Sequence, residues 1–491
     1  MAAGYRLSGL EAARLLREGV LDPEEYVAAL YDRIEKLDPR LKAFISVRPR
    51  EEVLRELRES LEKGRPLSGL VVAVKDNIHV RGLPVTCGSR MLSKYTAVYD
   101  ATVVERLREQ GAVVLGKTNM DEFAMGSTGE TSAYGAARNP WSPDKVPGGS
   151  SSGTAVALAA GMAPMGLGSD TGGSIRLPAS WTGLYGLKPT YGRVSRYGLV
   201  SYADSLEQIG PMARTVEDLA ALFDAIAGFD PRDSTSLQAP ASALETVKRA
   251  KEQGVEGMRI GLVREFLEHP GVDERIKRLV EAAADGLSRQ GVEVVEVGLG
   301  AEAVEYALPA YYVIAMAEAS SNLARYDGIR YGPGEPPRPW EGWNTYYSRI
   351  RSIYFGTEVK LRIMLGSWML SSGYKDQYYI RALKLRRLVR DRLLEALRGL
   401  DVLLLPSAVA PPPRLGEVIG DPEKLYALDL ANVLANLSGL PALVAPAGRV
   451  EDIPTGVQLM GAPMGDEKLL SLAAALEQET GLSNLVAEPT P

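Results

Sequence analysis

Three short segments hold residues whose types and order could carry out acyl transfer. Lys75 stands where the apolar run 70–74 ends, at Lys75-Asp76-Asn77, and the carboxyl ends of strands in open α/β sheets are where ligands bind. Ser150 lies in Pro147-Gly148-Gly149-Ser150-Ser151-Ser152-Gly153-Thr154, which runs directly into an Ala-rich helix. Consecutive N–H groups ahead of a helix make an anion site, although no Lys-Ser/Thr pair follows to make this a nucleotide loop. Ser174 closes the turn in Gly168-Ser169-Asp170-Thr171-Gly172-Gly173-Ser174-Ile175-Arg176. Glycines before a serine let backbone N–H groups converge on one point, as an oxyanion requires. Taken singly, each segment has an ordinary explanation: a strand-terminal lysine, a Gly/Ser linker, a tight turn.

Taken together they read differently. A serine nucleophile needs a base, and the chain has only two histidines, His79 and His269. His269 sits in the loop signal Glu268-His269-Pro270 and is expected at the surface; His79 is expected in a loop. A Ser-His-Asp hydrolase, a His-ligated metal or a haem has almost nothing to build on. A lysine can be the base if it is neutral. From its reference value of ~10.4, reaching neutrality costs about 4 kcal/mol, which burial at a strand end can supply. A second serine can pass the proton, because a hydroxyl both donates and accepts. Lys75, Ser150 and Ser174 fit those three roles.

The stretches GGSSSGTAVALAAG and GLGSDTGGSIRLPASWTGLYGLKPTYGRVSRYGL resemble the signature of the amidase family, and AVKDN upstream resembles its lysine segment. The order and spacing of Lys, Ser and Ser agree. The resemblance implies an α/β amidase-signature fold: a large mixed, mostly parallel β-sheet covered by helices on both faces. It implies Lys75 as base, Ser150 as relay on a cis peptide, Ser174 as nucleophile, and the backbone of Thr171, Gly172, Gly173 and Ser174 as oxyanion hole. Ser152 and Thr154 depart from the family pattern, which has Gly and Ser there; neither is a triad position.

Further segments, EFAMGSTGETSAYGAARNPW, YYVIAMAEASSNLARYDGIRYG, FGTEVKLRIMLGSWMLSSGYKDQYY and LYALDLANVLANLSGLPAL, resemble the glutaminase subunits of tRNA-dependent amidotransferases within that family. This implies that the second half recognises free glutamine, with Arg362 on its α-carboxylate and Asp429 on its ammonium. Tyr312 is the neighbouring candidate, with Tyr311 as the alternative. An arginine fork suits a carboxylate, and a zwitterion needs one partner of each sign. The resemblance also implies a heterotrimer, in which an acceptor-side B subunit and a small C subunit join this chain. ATP and Mg would be bound by the partner, which would present misacylated Glu-tRNA(Gln), or alternatively Asp-tRNA(Asn). No cofactor and no metal is expected in this chain. The rival readings are a stand-alone amidase and a non-catalytic anion-binding module.

The elements that must hold these residues follow from periodicity. Residues 5–65 read as helices, with Asp22-Pro23 as cap and first turn. Buried strands are expected at 70–74 and 112–115, flanking a helix at 101–110. Gly and Ser dominate 126–210, yet Trp181, Leu184, Tyr185, Leu187 and Val194 need burial, so that region is expected to be ordered. A helix is expected from Pro211 to about 227. A fresh α/β pattern follows: strand 259–263, helix 273–289, strand 292–297, helices over 301–325, a rigid loop at 331–339, a long basic helix at 376–398 and a strand at 401–405. We read residues 1–491 as one amidase domain comprising an N-terminal helical region (1–65), a catalytic region (66–228) and a second half (229–491). The chain has 491 residues, 45% of them hydrophobic, with 56 basic against 62 acidic and a net charge of −6. That argues against a phosphate-gripping surface of its own. Its single cysteine, Cys87, excludes disulfides within the chain and multi-cysteine metal sites. No signal-peptide core opens the chain, and its longest apolar stretch, 153–168, contains Pro164 and is too short to span a membrane. A cytoplasmic, soluble protein is expected.

Overall fold

The computed structural model describes residues 4–489. Eleven strands, in chain order, form one sheet: β1 Phe44–Val47, β2 Val71–Lys75, β3 Val113–Thr118, β4 Met165–Asp170, β5 Tyr185–Lys188, β6 Gln208–Ala213, β7 Arg259–Val263, β8 Glu293–Val297, β9 Val402–Pro406, β10 Ala442–Val450 and β11 Ile453–Gly461. Their spatial order is β1-β3-β2-β4-β6-β5-β10-β11-β9-β7-β8. Helices cover both faces, and the strand side chains show it. Val72 and Val74 of β2, Val402 and Leu404 of β9, and Leu443 and Ala445 of β10 enter one core that runs along the sheet. Val71 and Ala73 point into a second core, and Leu403 and Leu405 into a third on that opposite side. This is the period-two signature of a sheet buried on both faces.

The mixed sheet is as expected, but its parallel share is smaller than "mostly". Four strand pairs are parallel, β2·β3, β2·β4, β7·β8 and β7·β9. Six are antiparallel. The helix-linked strands that advertise parallel pairing lie in the two wings. In the centre β10 and β11 form a hairpin through Glu451 and Asp452, both with positive φ, while the other antiparallel neighbours are joined through long connections. Such a hairpin makes its two strands antiparallel neighbours.

Of three further local readings, the first and the last are corrected and the second stands. The 5–65 region includes β1, a four-residue edge strand with one buried and three half-buried residues, too short and too uniform to show alternation. The Gly/Ser-rich 126–210 region is ordered, and it contains β4, β5 and the start of β6. The helix expected from Pro211 begins at Val216, because Pro211 lies inside β6 opposite Leu167. Elsewhere Asp22 caps the helix Pro23–Leu41 through Glu24 N–H at 2.7 Å and Glu25 N–H at 3.2 Å, as its sequence signals. Among the described residues no helix is long and apolar enough to cross a membrane.

Candidate active site

The apolar strand β2 delivers Lys75 into the interior, where it is 0% exposed. Its Nζ donates to Ser150 Oγ at 2.8 Å, Ser169 Oγ at 3.0 Å and the Ser169 carbonyl at 3.3 Å. Asn77 Nδ2 holds Ser169 Oγ from the other side at 2.9 Å. Burial pushes the Lys75 amine down to about 7, against the opposing pull of Asp121 and Asp170. A neutral lysine is therefore available near neutrality, as a base requires.

The loop before the helix Ser152–Ala159 is shaped by close approaches. A Cβ at Gly148, whose φ is +84°, would lie 2.8 Å from Pro178 Cα; one at Gly149 would lie 2.0 Å from Asp121 Oδ2. The Gly149–Ser150 peptide is cis. Ser151 N–H donates to the Ser174 carbonyl at 3.0 Å, tying the two serine segments together. Of the departures from the family pattern, Thr154 uses its hydroxyl, pairing with Thr118 Oγ1 at 2.7 Å. Ser152 Oγ is buried without a partner among the described residues.

The turn after β4 is organised by Asp170. Its Oδ1 accepts Gly173 N–H at 3.0 Å, and its Oδ2 accepts Ile175 N–H at 3.0 Å and Arg176 Nε at 3.1 Å. Burial alone would raise the Asp170 carboxyl, but the Arg176 guanidinium and the Asn436 amide hold it well below the usual carboxylate range. Arg176, itself 0% exposed, also reaches the Asn432 carbonyl at 2.9 Å, Asn436 Oδ1 at 2.7 Å and Gln458 Oε1. This clamp corrects one nomination: Gly173 N–H is committed to Asp170 and is not a free oxyanion donor. The N–H groups of Thr171, Gly172 and Ser174 have no hydrogen-bond partner among the described residues. Gly173 instead supplies conformation. Its φ is +125°, and a Cβ there would lie 2.6 Å from Asn432 Cβ.

Ser174 is 7% exposed, and its hydroxyl bonds to no group among the described residues. The Lys75–Ser150 link of the expected relay is therefore formed, while the Ser150–Ser174 link is not closed in this structure. Such bonds often tighten only when substrate is bound.

The second-half residues converge on the same place. Tyr312 OH donates to Asp429 Oδ2 at 2.7 Å, and Ser127 Oγ donates to the same oxygen at 2.9 Å. Burial pushes the Asp429 carboxyl up to about 6 despite both hydroxyls. Arg362, 2% exposed, spends Nη1 on Tyr202 OH at 2.8 Å and Nε on Glu358 Oε1 at 2.7 Å. Its Nη2 is buried with no partner among the described residues. The rings of Tyr202, Tyr312 and Tyr426 surround its guanidinium at 5.3–5.7 Å. Tyr311 abuts the oxyanion turn instead, since a Cβ on Gly172 would lie 2.3 Å from its hydroxyl. Tyr312 is thus the neighbour of Asp429 and Arg362, and Tyr311 the wall of the turn.

His79 is buried, its ring nitrogens 2.8 Å from the Gly198 carbonyl and 3.1 Å from Tyr95 OH. Burial pushes it down to about 4, a structural imidazole. Half-buried His269 accepts Gly271 N–H at 3.0 Å within its turn. Cys87 is fully buried, and burial pushes its thiol up. Sequence reasoning misses Ser169, Asn77, Asn432, Asn436, Gln458, Tyr202, Glu358 and Tyr426. Only Ser169 and Asn77 fall within the first-half motifs, at strand ends beside the triad.

A family model described as Amidase matches residues 25–470. The chain is 49% identical over 470 residues to the A subunit of glutamyl-tRNA(Gln) amidotransferase from Sulfurisphaera tokodaii, covering 95% of this chain and 97% of that protein. It is 49% identical to the protein of the same name from Saccharolobus solfataricus, covering 96% and 97%. The crystal structure of the A subunit of glutamyl-tRNA(Gln) amidotransferase from Thermotoga maritima superposes with a TM-score of 0.82 at 38% identity, covering 100% of this chain and 99% of that one.

Proposed function

The chain belongs to the amidase family, and on that premise we propose that it is the glutamine-hydrolysing A subunit of a tRNA-dependent amidotransferase. The observation that carries this reading is the pairing, beside the Lys75–Ser150 contact and the open N–H groups of the 171–174 turn, of a buried acid with a buried arginine that keeps one N–H edge unpartnered. A buried unpaired donor costs free energy unless a ligand satisfies it. An α-carboxylate would occupy Arg362 Nη2 and an α-ammonium would face Asp429, leaving the side-chain amide at Ser174.

In the proposed mechanism neutral Lys75 takes a proton from Ser150 as Ser150 takes one from Ser174. Ser174 Oγ bonds to the amide carbon, and the N–H groups of Thr171, Gly172 and Ser174 receive the developing oxyanion. The proton returns through Ser150 to the amide nitrogen, the C–N bond breaks and ammonia leaves. Water, deprotonated by the same relay, attacks the acyl-enzyme and releases glutamate. The ammonia would pass to an acceptor-side B subunit, assembled with a small C subunit in a cytoplasmic heterotrimer. That partner would hold ATP and Mg and activate the misacylated Glu-tRNA(Gln), or Asp-tRNA(Asn). The test is glutamate release from glutamine by the full chain, alone and co-expressed with candidate partner chains, with and without misacylated tRNA. Glutamine-selective hydrolysis that rises on assembly is expected. Full activity on assorted small amides, with no preference for glutamine and no response to partners, would replace this reading with a stand-alone amidase.

A further inference from the structure

Glu122 has no part in the chemistry above, yet its contacts join the two halves of the site. It lies in the tight turn Glu122–Ala124 after β3 and is 2% exposed. One carboxylate oxygen accepts the Ser89 hydroxyl. The other accepts Gly356 N–H at 2.7 Å. Gly356 immediately precedes the helix Thr357–Met369, which carries Arg362. The N–H groups at a helix start lack intrahelical partners, and the positive end of the helix favours a carboxylate. The approach is too close for any other residue at 356, because a Cβ there would lie 2.2 Å from Glu122 Oε2. A parallel apolar contact reinforces it, Phe123 meeting Phe355 edge-on at 5.7 Å between ring centroids.

The neighbouring residues of the same turn hold the other half. Asp121 N–H donates to the Ser150 carbonyl at 3.3 Å. The Asp121 carboxylate fills the space beside Gly149 and accepts Gly129 N–H at 2.9 Å and Thr131 N–H at 3.1 Å. Ser127, five residues on from Glu122, donates to Asp429. Consecutive Asp121 and Glu122 thus serve opposite sides, and the chain reverses just after them through Phe123 at φ 50° and Ala124 at φ 61°. A side chain disfavours that backbone conformation, so two such residues in succession need the surrounding contacts to hold them.

We propose that Glu122 is a positioning residue for substrate selection, setting the distance between the arginine that anchors the α-carboxylate and the serine that attacks the side-chain amide. This rests on the glutamine reading. With both ends of the substrate held, a displacement of the Arg362 helix carries the amide away from Ser174, and misplacement by ~1 Å can cost about a hundredfold in rate. A primary amide without α-substituents feels only the Ser174 end and is indifferent to where that helix sits. The contact is therefore a specificity device, separable from the hydrolytic machinery.

The experiment compares glutamine with propionamide on the full chain, in whichever assembly supports its activity. Glu122→Ala should lower kcat for glutamine at least tenfold, and kcat/KM with it, while leaving kcat/KM for propionamide within twofold. Glu122→Gln, whose amide oxygen can still accept Gly356 N–H, should recover most of the loss. Gly356→Ala pushes on the same contact from the other side and should reproduce the glutamine-selective defect. Combined with Glu122→Ala it should add nothing, because the atom it collides with is gone. Equal losses on both substrates, or an unchanged kcat/KM for glutamine in the Glu122→Ala and Gly356→Ala proteins, would overturn the proposal. Should Glu122→Ala fail to fold, Gly356→Ala against Glu122→Gln still decides it. A wild-type protein that does not prefer glutamine to propionamide would instead refute the glutamine reading itself, before any variant is made.

Discussion

Protonating Lys75 should switch hydrolysis off over a narrow pH range. Burial brings this amine from 10.5 to about 7. About half the molecules then hold a neutral base at pH 7, whereas at the ordinary value roughly one in three thousand would, a difference of about three orders of magnitude in competent enzyme. The assay is kcat/KM for propionamide between pH 5 and 9. Propionamide is chosen because Asp429, pushed up to about 6, titrates in the pocket and would add its own limb to a glutamine profile. The sign is fixed: the lysine must accept a proton, so activity rises about tenfold per pH unit below the limb and levels off above about pH 8. Asp121→Asn removes the negative neighbour that most favours the charged amine, so its limb should move to lower pH. Lys75→Arg, whose guanidinium stays charged, should be inactive throughout. A flat profile across the range, or a limb near the ordinary lysine value, would refute the reasoning.

Ser174→Ala should remove glutaminase activity with the fold intact, and Lys75→Ala or Ser150→Ala should cost nearly as much; a double variant no slower than Ser174→Ala is expected from groups acting as a unit, and strictly additive losses would count against the relay. Arg362→Ala and Asp429→Ala should impair glutamine use far more than use of free ammonia by the assembled enzyme, which amidation assays with each nitrogen source would measure. Arg176→Ala leaves the Asp170 carboxylate buried and unpaired, and should cost about 3–5 kcal/mol in denaturant or thermal unfolding, together with loss of turnover.

The parts of the site that can be read from residue types are those whose chemistry allows few alternatives. With imidazole scarce, a lysine at the end of β2 and serines in two glycine-rich turns are left to supply base, relay and nucleophile, and the Lys75–Ser150 contact is formed. Arg362 and Asp429 are different. Each is an ordinary charged residue on a helix or beside one, and only the family resemblance singles them out; what distinguishes them is burial, which no local pattern displays. The clamp on the nucleophile turn is partly in view, because Asp170 and Arg176 flank Ser174. Asn432, Asn436 and Gln458 lie more than 250 residues beyond Arg176 and leave no periodic trace. The same blindness to distance explains β6, where Pro211 looks like a helix start until β4 is seen beside it. It also explains the centre of the sheet, where β5 pairs with β10, more than 250 residues later in the chain.

The long reach of Arg176 has a consequence for how the protein is made. Its guanidinium bonds to Gln458, 282 residues later in the chain. At ~5–20 residues per second, the ribosome needs roughly a quarter of a minute to a minute to travel from one to the other. Throughout that interval the nucleophile turn has been synthesised but lacks the asparagines and glutamine that share in holding it. Gly173 cannot yet rest against Asn432, nor can the Arg176 charge leave water for its final partners. Glutamine is abundant wherever translation runs, so a nascent chain with a finished nucleophile turn would release ammonia to no acceptor. Because Asn432, Asn436 and Gln458 complete the hold on that turn, its folded arrangement cannot be complete until the ribosome has passed all three.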